Sequence, residues 1–254
     1  MANTQPFLGI IAALPAEARS LGVDDVPVGQ VVEVARKVVL IRCGIGRVRA
    51  QRAARALIRA GAGALLSWGT AAAVSRDLGH GDLVLPLEVL SRNGRRFDVD
   101  HRWHHGLAET IESQGGCCGG TVAEADSVLR DADDKLRFRN LSGALIADME
   151  SGAIAEVCHG ADIPLLVVRA VSDPATTRVP DSALAAVDEN GDVSVARCLA
   201  KLVFTPGDVL ALVRLGRGFR AACGALSELA RRAGPEFQWP ATGAPVDPPK
   251  PAHA

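Results

Sequence analysis

Short runs of Val, Ile and Leu alternate with amphipathic stretches along most of the chain. Such runs are typical of strands buried on both faces of a mainly parallel sheet, and the stretches between them are typical of covering helices. The pattern therefore predicts an α/β fold, a single three-layer α/β/α domain around a mixed, mostly parallel sheet. The predicted strands are 7–13, 37–42, 64–69, 83–89, 119–123, 143–149 and 164–171.

Helical patterns occupy segments between and after these strands. Residues 47–59 place apolar side chains on one face with five arginines elsewhere, and residues 150–159 follow the same pattern. Further helices are predicted at 193–203 and 206–233. The TTRVPDSALAAVDENGD segment that precedes them contains Pro, Asn and Gly, and it predicts a long loop of the kind that covers active sites.

The composition narrows the choice of protein class. The 254 residues are 48% hydrophobic, which is enough for a full core, and the Pro-rich residues 234–254 are predicted to be a disordered tail after a 1–233 domain. The 28 Lys and Arg are matched by 29 Asp and Glu, so the chain lacks the positive charge that nucleic acid requires. No apolar stretch has the length of a membrane span, although contact with a membrane surface stays open.

Six cysteines occur at spacings that match neither a zinc site nor a disulfide framework. We therefore expect reduced thiols in a cytoplasmic protein, without a bound metal. His101, His104 and His105 surround Trp103 and form the one histidine cluster of the sequence. No carboxylate or cysteine spacing supports a metal site there, so the cluster is predicted to be a surface loop.

Candidate chemistry appears where two predicted strands end in a carboxylate, Glu150 after ALIADM and Asp173 after VVRAVS. The carboxyl ends of parallel strands share one edge of a sheet, where ligand crevices form. We therefore predict that the two acids face one site. Each also has a purely structural interpretation, Glu150 as a helix N-terminal carboxylate and Asp173 as a turn residue before Pro174.

Five segments carry a more specific signal, namely GIIAALPAEA, CGIGRVRA, SWGTAAA, ADMESGAIAEVC and VVRAVSD, in that order from Gly9 to Asp173. The set resembles the nucleoside phosphorylase superfamily, most closely its methylthioadenosine/S-adenosylhomocysteine nucleosidase-like branch. The resemblance implies an enzyme that cleaves the N-glycosidic bond of a purine nucleoside. It also implies that no cofactor is needed and that the protein is a homo-oligomer, with a dimer favoured.

The resemblance also assigns roles. Cleavage leaves positive charge on the ribosyl carbon and negative charge on the purine. Asp173 is the implied acid at the purine, Glu150 the ionised acceptor for the ribose hydroxyls, and Glu17 the acid that positions an attacking water. Implied substrate contacts are Gly69, Thr70, Val128, Met149 and Ser172. Ordinary roles stay open for Met149 in the core, for Glu17 in a first helical turn and for Arg169 in an ion pair.

Some positions depart from the family pattern. Several phosphorylases carry an arginine where this chain has Ser67, so one usual phosphate clamp is missing. The remaining phosphate candidates are Thr70, Gly46 and Arg36, the last of which is also expected as an exposed hairpin charge. The aromatic residue that stacks on the purine in many nucleosidases is missing near Val128. Whether the nucleophile is water or phosphate therefore stays open.

Beyond Asp173 the VDENG loop and the LALVRLGR helix resemble the hopanoid-associated phosphorylase branch. That resemblance implies release of adenine from adenosylhopane, a lipid-linked nucleoside, by a protein peripheral to the inner membrane. Its helix would line an apolar opening with Leu210, Leu212, Leu215 and Phe219, and would present Arg214, Arg217 and Arg220 to lipid headgroups. A packed helix with a solvated basic face is the alternative.

Two other functions compete with the hopanoid interpretation. An ordinary nucleosidase would act on methylthioadenosine, S-adenosylhomocysteine or futalosine. A non-catalytic nucleotide-binding protein would use the Gly44 turn, but Arg49 replaces the third glycine of a dinucleotide fingerprint and ALLSWG ends in no acidic residue.

Overall fold

A computed structural model describes residues 6–188, 190–192, 194 and 206–240. The strands in this part of the chain form one sheet with the main order β2-β3-β1-β4-β10-β9-β6-β7, from which β11, β5 and β8 branch at β4. Most strand pairs are parallel, including β1 with β3 and β11 with β4, so the predicted mixed, mostly parallel sheet is confirmed. The strands are β1 (Phe7–Ala12), β2 (Val31–Ala35), β3 (Val38–Arg42), β4 (Ala62–Ala73), β5 (Leu83–Leu85), β6 (Glu88–Leu90), β7 (Arg96–Asp98), β8 (Cys117–Cys118), β9 (Thr121–Glu124), β10 (Ile146–Asp148) and β11 (Leu165–Asp173).

Helices cover both faces of this sheet. They are α1 (Pro15–Arg19), α2 (Arg47–Arg59), α3 (His101–Glu112), α4 (Ala132–Ser142), α5 (Ser151–Ala161), α6 (Asp181–Ala186) and α7 (Val209–Ala233). Successive strand residues point to opposite faces. On β4, Ser67 contacts Ser151 of α5, whereas the Trp68 indole donates to Ser20 just after α1. Since α2 packs on α5, and α7 packs on α1 and α3, the α/β/α architecture is confirmed.

Several boundaries differ from the predicted ones for local reasons. The predicted strand 83–89 is two strands, because Pro86 between them has no N–H for a sheet hydrogen bond. The predicted loop after Asp173 contains the short helix α6. The predicted helix 193–203 lies outside the described residues. Within the described part of the chain, no helix has the length and apolar character of a membrane span.

The histidine cluster belongs to a helix, so its prediction as a loop is wrong. The Asp100 side chain caps α3 by accepting a hydrogen bond from the Trp103 N–H, at 2.7 Å. Trp103 and His104 are buried, and the His104 Nε2 lies 3.0 Å from the Leu85 carbonyl oxygen. Burial lowers the pKa of His104. The cluster is therefore a core contact of α3, with His101 exposed to solvent.

The predicted boundary at residue 233 is wrong, because residues 234–240 pack against the domain. Phe237 and Trp239 are buried. The Phe237 ring lies 5.1 Å from the Trp68 ring between centroids, and its carbonyl accepts a 2.7 Å hydrogen bond from the Trp103 indole. The domain extends at least to residue 240, and the rest of the predicted tail lies outside the described residues.

Candidate active site

The site lies where β1, β4 and β11 run side by side. Ala170 of β11 pairs with Thr70 of β4, and Ala71 and Ala72 follow on β4 towards Asp173. A small cavity opens at this edge of the sheet. Four of the predicted residues line it. Its lining consists of Ile11, Ala13, Glu17, Cys43, Ser67, Trp68, Gly69, Thr70, Glu150, Ile154 and Arg169.

Glu17 is held in this cavity by hydrogen bonds to both carboxylate oxygens. Its Oε1 accepts from the Thr70 N–H at 2.8 Å and from the Thr70 hydroxyl at 2.9 Å. Its Oε2 accepts from the N–H groups of Ala13 and Leu14, each at 3.0 Å. A Cβ atom on Gly69 would lie 2.7 Å from Oε1, so glycine is required there for steric reasons. Glu17 is buried and faces β4, which argues against a solvent-facing helix residue.

Glu150 follows β10 and caps the start of α5. Its Oε1 accepts a 2.7 Å hydrogen bond from the Gly46 N–H, so the group predicted to bind phosphate is used by a carboxylate. Burial, and after it the charge of Asp148, raise the pKa of Glu150 to about 8. Burial therefore favours the neutral form of Glu150, and the ionised form that the resemblance implies stays a prediction.

A buried ionic network supports the floor of the cavity. The Arg169 Nε donates to Asp148 Oδ2 at 2.8 Å, and its Nη2 donates to the hydroxyls of Ser67 and Ser151 at 2.7 and 2.8 Å. Nη1 donates to the Ser67 carbonyl at 2.9 Å. The ion-pair interpretation of Arg169 is thus correct. Its partner Asp148 was not predicted. The signal was present in the sequence, because Asp148 and Arg169 both occur within apolar strands and unpaired buried charges are costly.

Asp173 ends β11 and is bound on both carboxylate oxygens. Oδ1 accepts a 2.6 Å hydrogen bond from the Ser172 hydroxyl, so Ser172, predicted as a substrate contact, also orients Asp173. Oδ2 forms a 2.7 Å ion pair with the fully buried Lys135 of α4. Lys135 was missed by the sequence analysis, since it sits in the highly charged ADDKLRFRN segment and no apolar pattern marks it.

Other predicted residues do not reach the cavity. Arg36 is exposed in the β2–β3 turn, at the opposite end of β3 from Cys43, which agrees with the hairpin-charge alternative. Val128 is 41% exposed in the loop after β9. Met149 is half-buried beside Glu150 and does not line the cavity. In the part of the chain that the structure describes, no group of His, Cys, Asp or Glu is arranged to hold a metal ion.

Comparison with known proteins finds relatives of this chain among nucleosidases. The chain is 31% identical over 160 residues to a 5′-methylthioadenosine/S-adenosylhomocysteine nucleosidase of Haemophilus influenzae. The aligned region covers 54% of this chain and 69% of that protein. It is 28% identical over 165 residues to the Shewanella pealeana nucleosidase of the same name, covering 57% and 72%.

Solved structures share the fold. The Neisseria meningitidis 5′-methylthioadenosine/S-adenosylhomocysteine nucleosidase in complex with methylthio-immucillin-A has a TM-score of 0.66 at 20% identity, covering 88% of this chain and 96% of that one. Futalosine hydrolase of Helicobacter pylori has a TM-score of 0.64 at 17% identity, covering 91% and 100%. The family model described as the phosphorylase superfamily matches residues 8–204, and the chain therefore belongs to that superfamily.

Proposed function

We propose that this protein is a purine nucleosidase that hydrolyses the N-glycosidic bond of a 5′-substituted nucleoside of the methylthioadenosine and S-adenosylhomocysteine class. The observation that carries the proposal is the convergence of Glu17, Glu150 and Thr70 on one cavity at the carboxyl edge of the sheet. Relatives with that substrate class in their names match more than half of the chain. Futalosine is a further candidate, because a futalosine hydrolase shares the fold.

In this proposal Glu17 receives a proton from the attacking water. The water oxygen bonds to the ribosyl carbon while the carbon–nitrogen bond breaks. The electron pair of the broken bond stays on the purine nitrogen. Each Glu17 oxygen already accepts two hydrogen bonds, so a water must replace one donor. The Thr70 hydroxyl is the replaceable one, since it can rotate while the backbone N–H groups cannot.

Glu150 and Asp173 would act on the two ends of the breaking bond. Positive charge on the ribose favours the ionised form of Glu150, so this carboxylate would stabilise the transition state more than the bound substrate. Asp173 would hydrogen-bond to the purine and assist its departure. Ser172, Met149 and Val128 remain proposed substrate contacts.

The charges in the cavity support water rather than phosphate as the nucleophile. Among the described residues, Arg169 is the one cation in the cavity lining, and its donors are used by Asp148, Ser67 and Ser151. A phosphate would therefore meet two glutamate side chains without a free cation to offset its charge.

A bulky apolar 5′ substituent, as in adenosylhopane, is a second candidate supported by the position of α7. Gly218 of α7 lies against the Ser172 carbonyl oxygen, next to Asp173. Towards its N-terminus the helix exposes Val209, Leu210 and Val213, and it also exposes arginines that suit anionic headgroups. Leu212, Leu215 and Phe219 are only partly buried, as an apolar opening would require. In this version the protein contacts the membrane surface.

One experiment separates these possibilities. Purified protein is incubated with methylthioadenosine, S-adenosylhomocysteine, futalosine and 5′-alkyl adenosines of increasing length, with and without phosphate, and the sugar product is identified. We expect free ribose products whether or not phosphate is present, and loss of turnover in Glu17→Gln. A ribose 1-phosphate product would refute water as the nucleophile, and rising kcat/KM with alkyl length would favour the lipid-linked substrate.

We also propose a cytoplasmic homo-oligomer, with a dimer favoured. The five cysteines within the described residues form no disulfide, which suits a reducing compartment. Light scattering on the purified protein tests the oligomeric state, and a monomeric mass at micromolar concentration would contradict it.

A further inference from the structure

Lys135 is one of two buried residues in a helix whose other residues are exposed or half-buried. In α4 only Lys135 and Ser142 are buried, and Lys135 has no exposed surface. Its ammonium lies 2.7 Å from Asp173 Oδ2, 2.8 Å from the Pro174 carbonyl oxygen and 3.1 Å from the Thr177 carbonyl oxygen. An ammonium has three donors, so all of them serve the segment that begins at Asp173.

This arrangement is costly for the fold. Removing an ammonium from water carries a penalty of several kcal/mol, and an ion pair does not always recover it. Lysine is almost never fully buried without a partner. A pair of apolar side chains in place of Lys135 and Asp173 would join α4 to the β11 end at lower cost. A role confined to packing therefore explains the position poorly, whereas a role for the positive charge beside Asp173 explains it.

The hydrogen bonds from Lys135 and Ser172 fix the orientation of the Asp173 carboxylate. Lys135 holds Oδ2 from the α4 side, and the Ser172 hydroxyl contacts Oδ1 from the β11 side. The same ammonium fixes the chain at Pro174 and Thr177, directly after the proposed acid. The orientation of Asp173 and the path of the following loop thus depend on one side chain.

We propose that Lys135 is a positioning residue for the reaction: it aims the Asp173 carboxylate at the purine and compensates its charge in a buried place. The inference rests on the proposed function, in which Asp173 assists departure of the purine. Lys135 touches neither substrate nor water in this scheme and acts only through Asp173.

The test is a double-mutant cycle with Lys135→Met and Asp173→Asn, measured as kcat and KM on methylthioadenosine. Lys135→Met should lower kcat by about 10- to 100-fold, as misplacement of a catalytic group does, while KM changes by less than about threefold. The kcat of the double variant should be no lower than that of Asp173→Asn alone, because the two substitutions remove the same function. Arg137→Met is the matched control, since this exposed cation of α4 pairs with Asp134 at the surface.

A second substrate separates positioning from folding. A 4-nitrophenyl riboside has a leaving group that departs without an acid, so Lys135→Met should retain most of its wild-type turnover on it. Should Lys135→Met not fold, Lys135→Gln is the second variant, which removes the charge and keeps two amide N–H donors on a side chain one bond shorter.

The outcomes are distinguishable. Losses that multiply in the double variant, or that affect both substrates equally, would overturn the inference and leave a structural ion pair. Unchanged turnover of Asp173→Asn would instead refute the acid assigned in the proposed function, and the role of Lys135 with it.

Discussion

Substituting Glu150 with glutamine should make the protein more stable and a poorer enzyme. The ionised form of Glu150 is disfavoured in the cavity, because burial and the neighbouring Asp148 charge raise its pKa to about 8 from an ordinary value of 4.5. Glutamine keeps the shape and an oxygen that can accept the 2.7 Å hydrogen bond from the Gly46 N–H. The substitution therefore removes the ionisation and little else.

The sign of the effect follows from proton binding. Between pH 4.5 and 8 the folded protein holds a proton on Glu150 that the unfolded chain has lost, so the stability of the wild type falls as pH rises through this window. The full slope is about 1.4 kcal/mol per pH unit. Because the side chain keeps some contact with solvent, we expect a smaller loss, on the order of 2 kcal/mol between pH 5 and pH 8.

Urea unfolding at pH 5, 6, 7, 8 and 9 measures this difference. Glu150→Gln should match the wild type near pH 5 and exceed it near pH 8. Glu228→Gln is the control, because arginine hydrogen bonds lower the pKa of this exposed glutamate to about 2, so its effect should not vary over this range. Parallel wild-type and Glu150→Gln curves would refute the argument. In kinetics, Glu150→Gln should lower kcat more than it raises KM, and a change in KM alone would remove the electrostatic role.

Four further results are expected. The kcat/KM of the wild type should rise with pH up to about 8, because the ionised Glu150 is the useful form, and a profile that is flat from pH 6 to 9 would contradict this. Asp173→Asn should lower kcat by about 10²- to 10⁴-fold with an unchanged circular dichroism spectrum, and near-normal turnover would remove Asp173 from the mechanism. Glu17→Gln should lower the hydrolysis rate by at least about 10²-fold, and a rate within threefold of the wild type would refute Glu17 as the water-binding acid. Phe237→Ala should cost about 3–5 kcal/mol of unfolding free energy, as deletion of a buried aromatic ring does, and a loss below about 1 kcal/mol would show that the ring is dispensable.

The parts of the fold that can be predicted from the sequence are those with a clear pattern of apolar residues. The apolar runs in β1, β4 and β11 have no alternation, because both faces of these strands are covered, and this identified the central sheet. The expectation that Glu150 and Asp173 follow two parallel strands is wrong, because β11 runs parallel to β4 whereas β10 runs antiparallel to it. Glu150 lines the cavity, and Asp173 is not among its lining residues. The approach of Glu17 to Gly69 depended on the family resemblance, because no local pattern brings α1 to β4.

The parts that sequence reasoning missed depend on contacts between distant segments. Lys135 occurs among charged neighbours, and only the folded chain shows that its helix turns this one side chain inward. Phe237 and Trp239 stand in a Pro-rich segment whose composition is typical of disorder, yet both rings are buried and Phe237 packs against Trp68 of the core. His104 was misassigned because the Asp100 cap was not recognised as the start of a helix.

The docking of Phe237 and Trp239 also has a consequence for biosynthesis. Trp68 and Trp103 leave the ribosome long before Phe237, which contacts both of them and lies 134 residues after Trp103 in the sequence. Domains begin to fold during synthesis, and transiently exposed apolar surface is what chaperones bind. A nascent chain that has reached only residue 233 lacks the Phe237 contacts to both indole rings. Completion of the core must wait until these later residues are synthesised, so premature termination shortly before residue 237 should yield a chain that quality control removes.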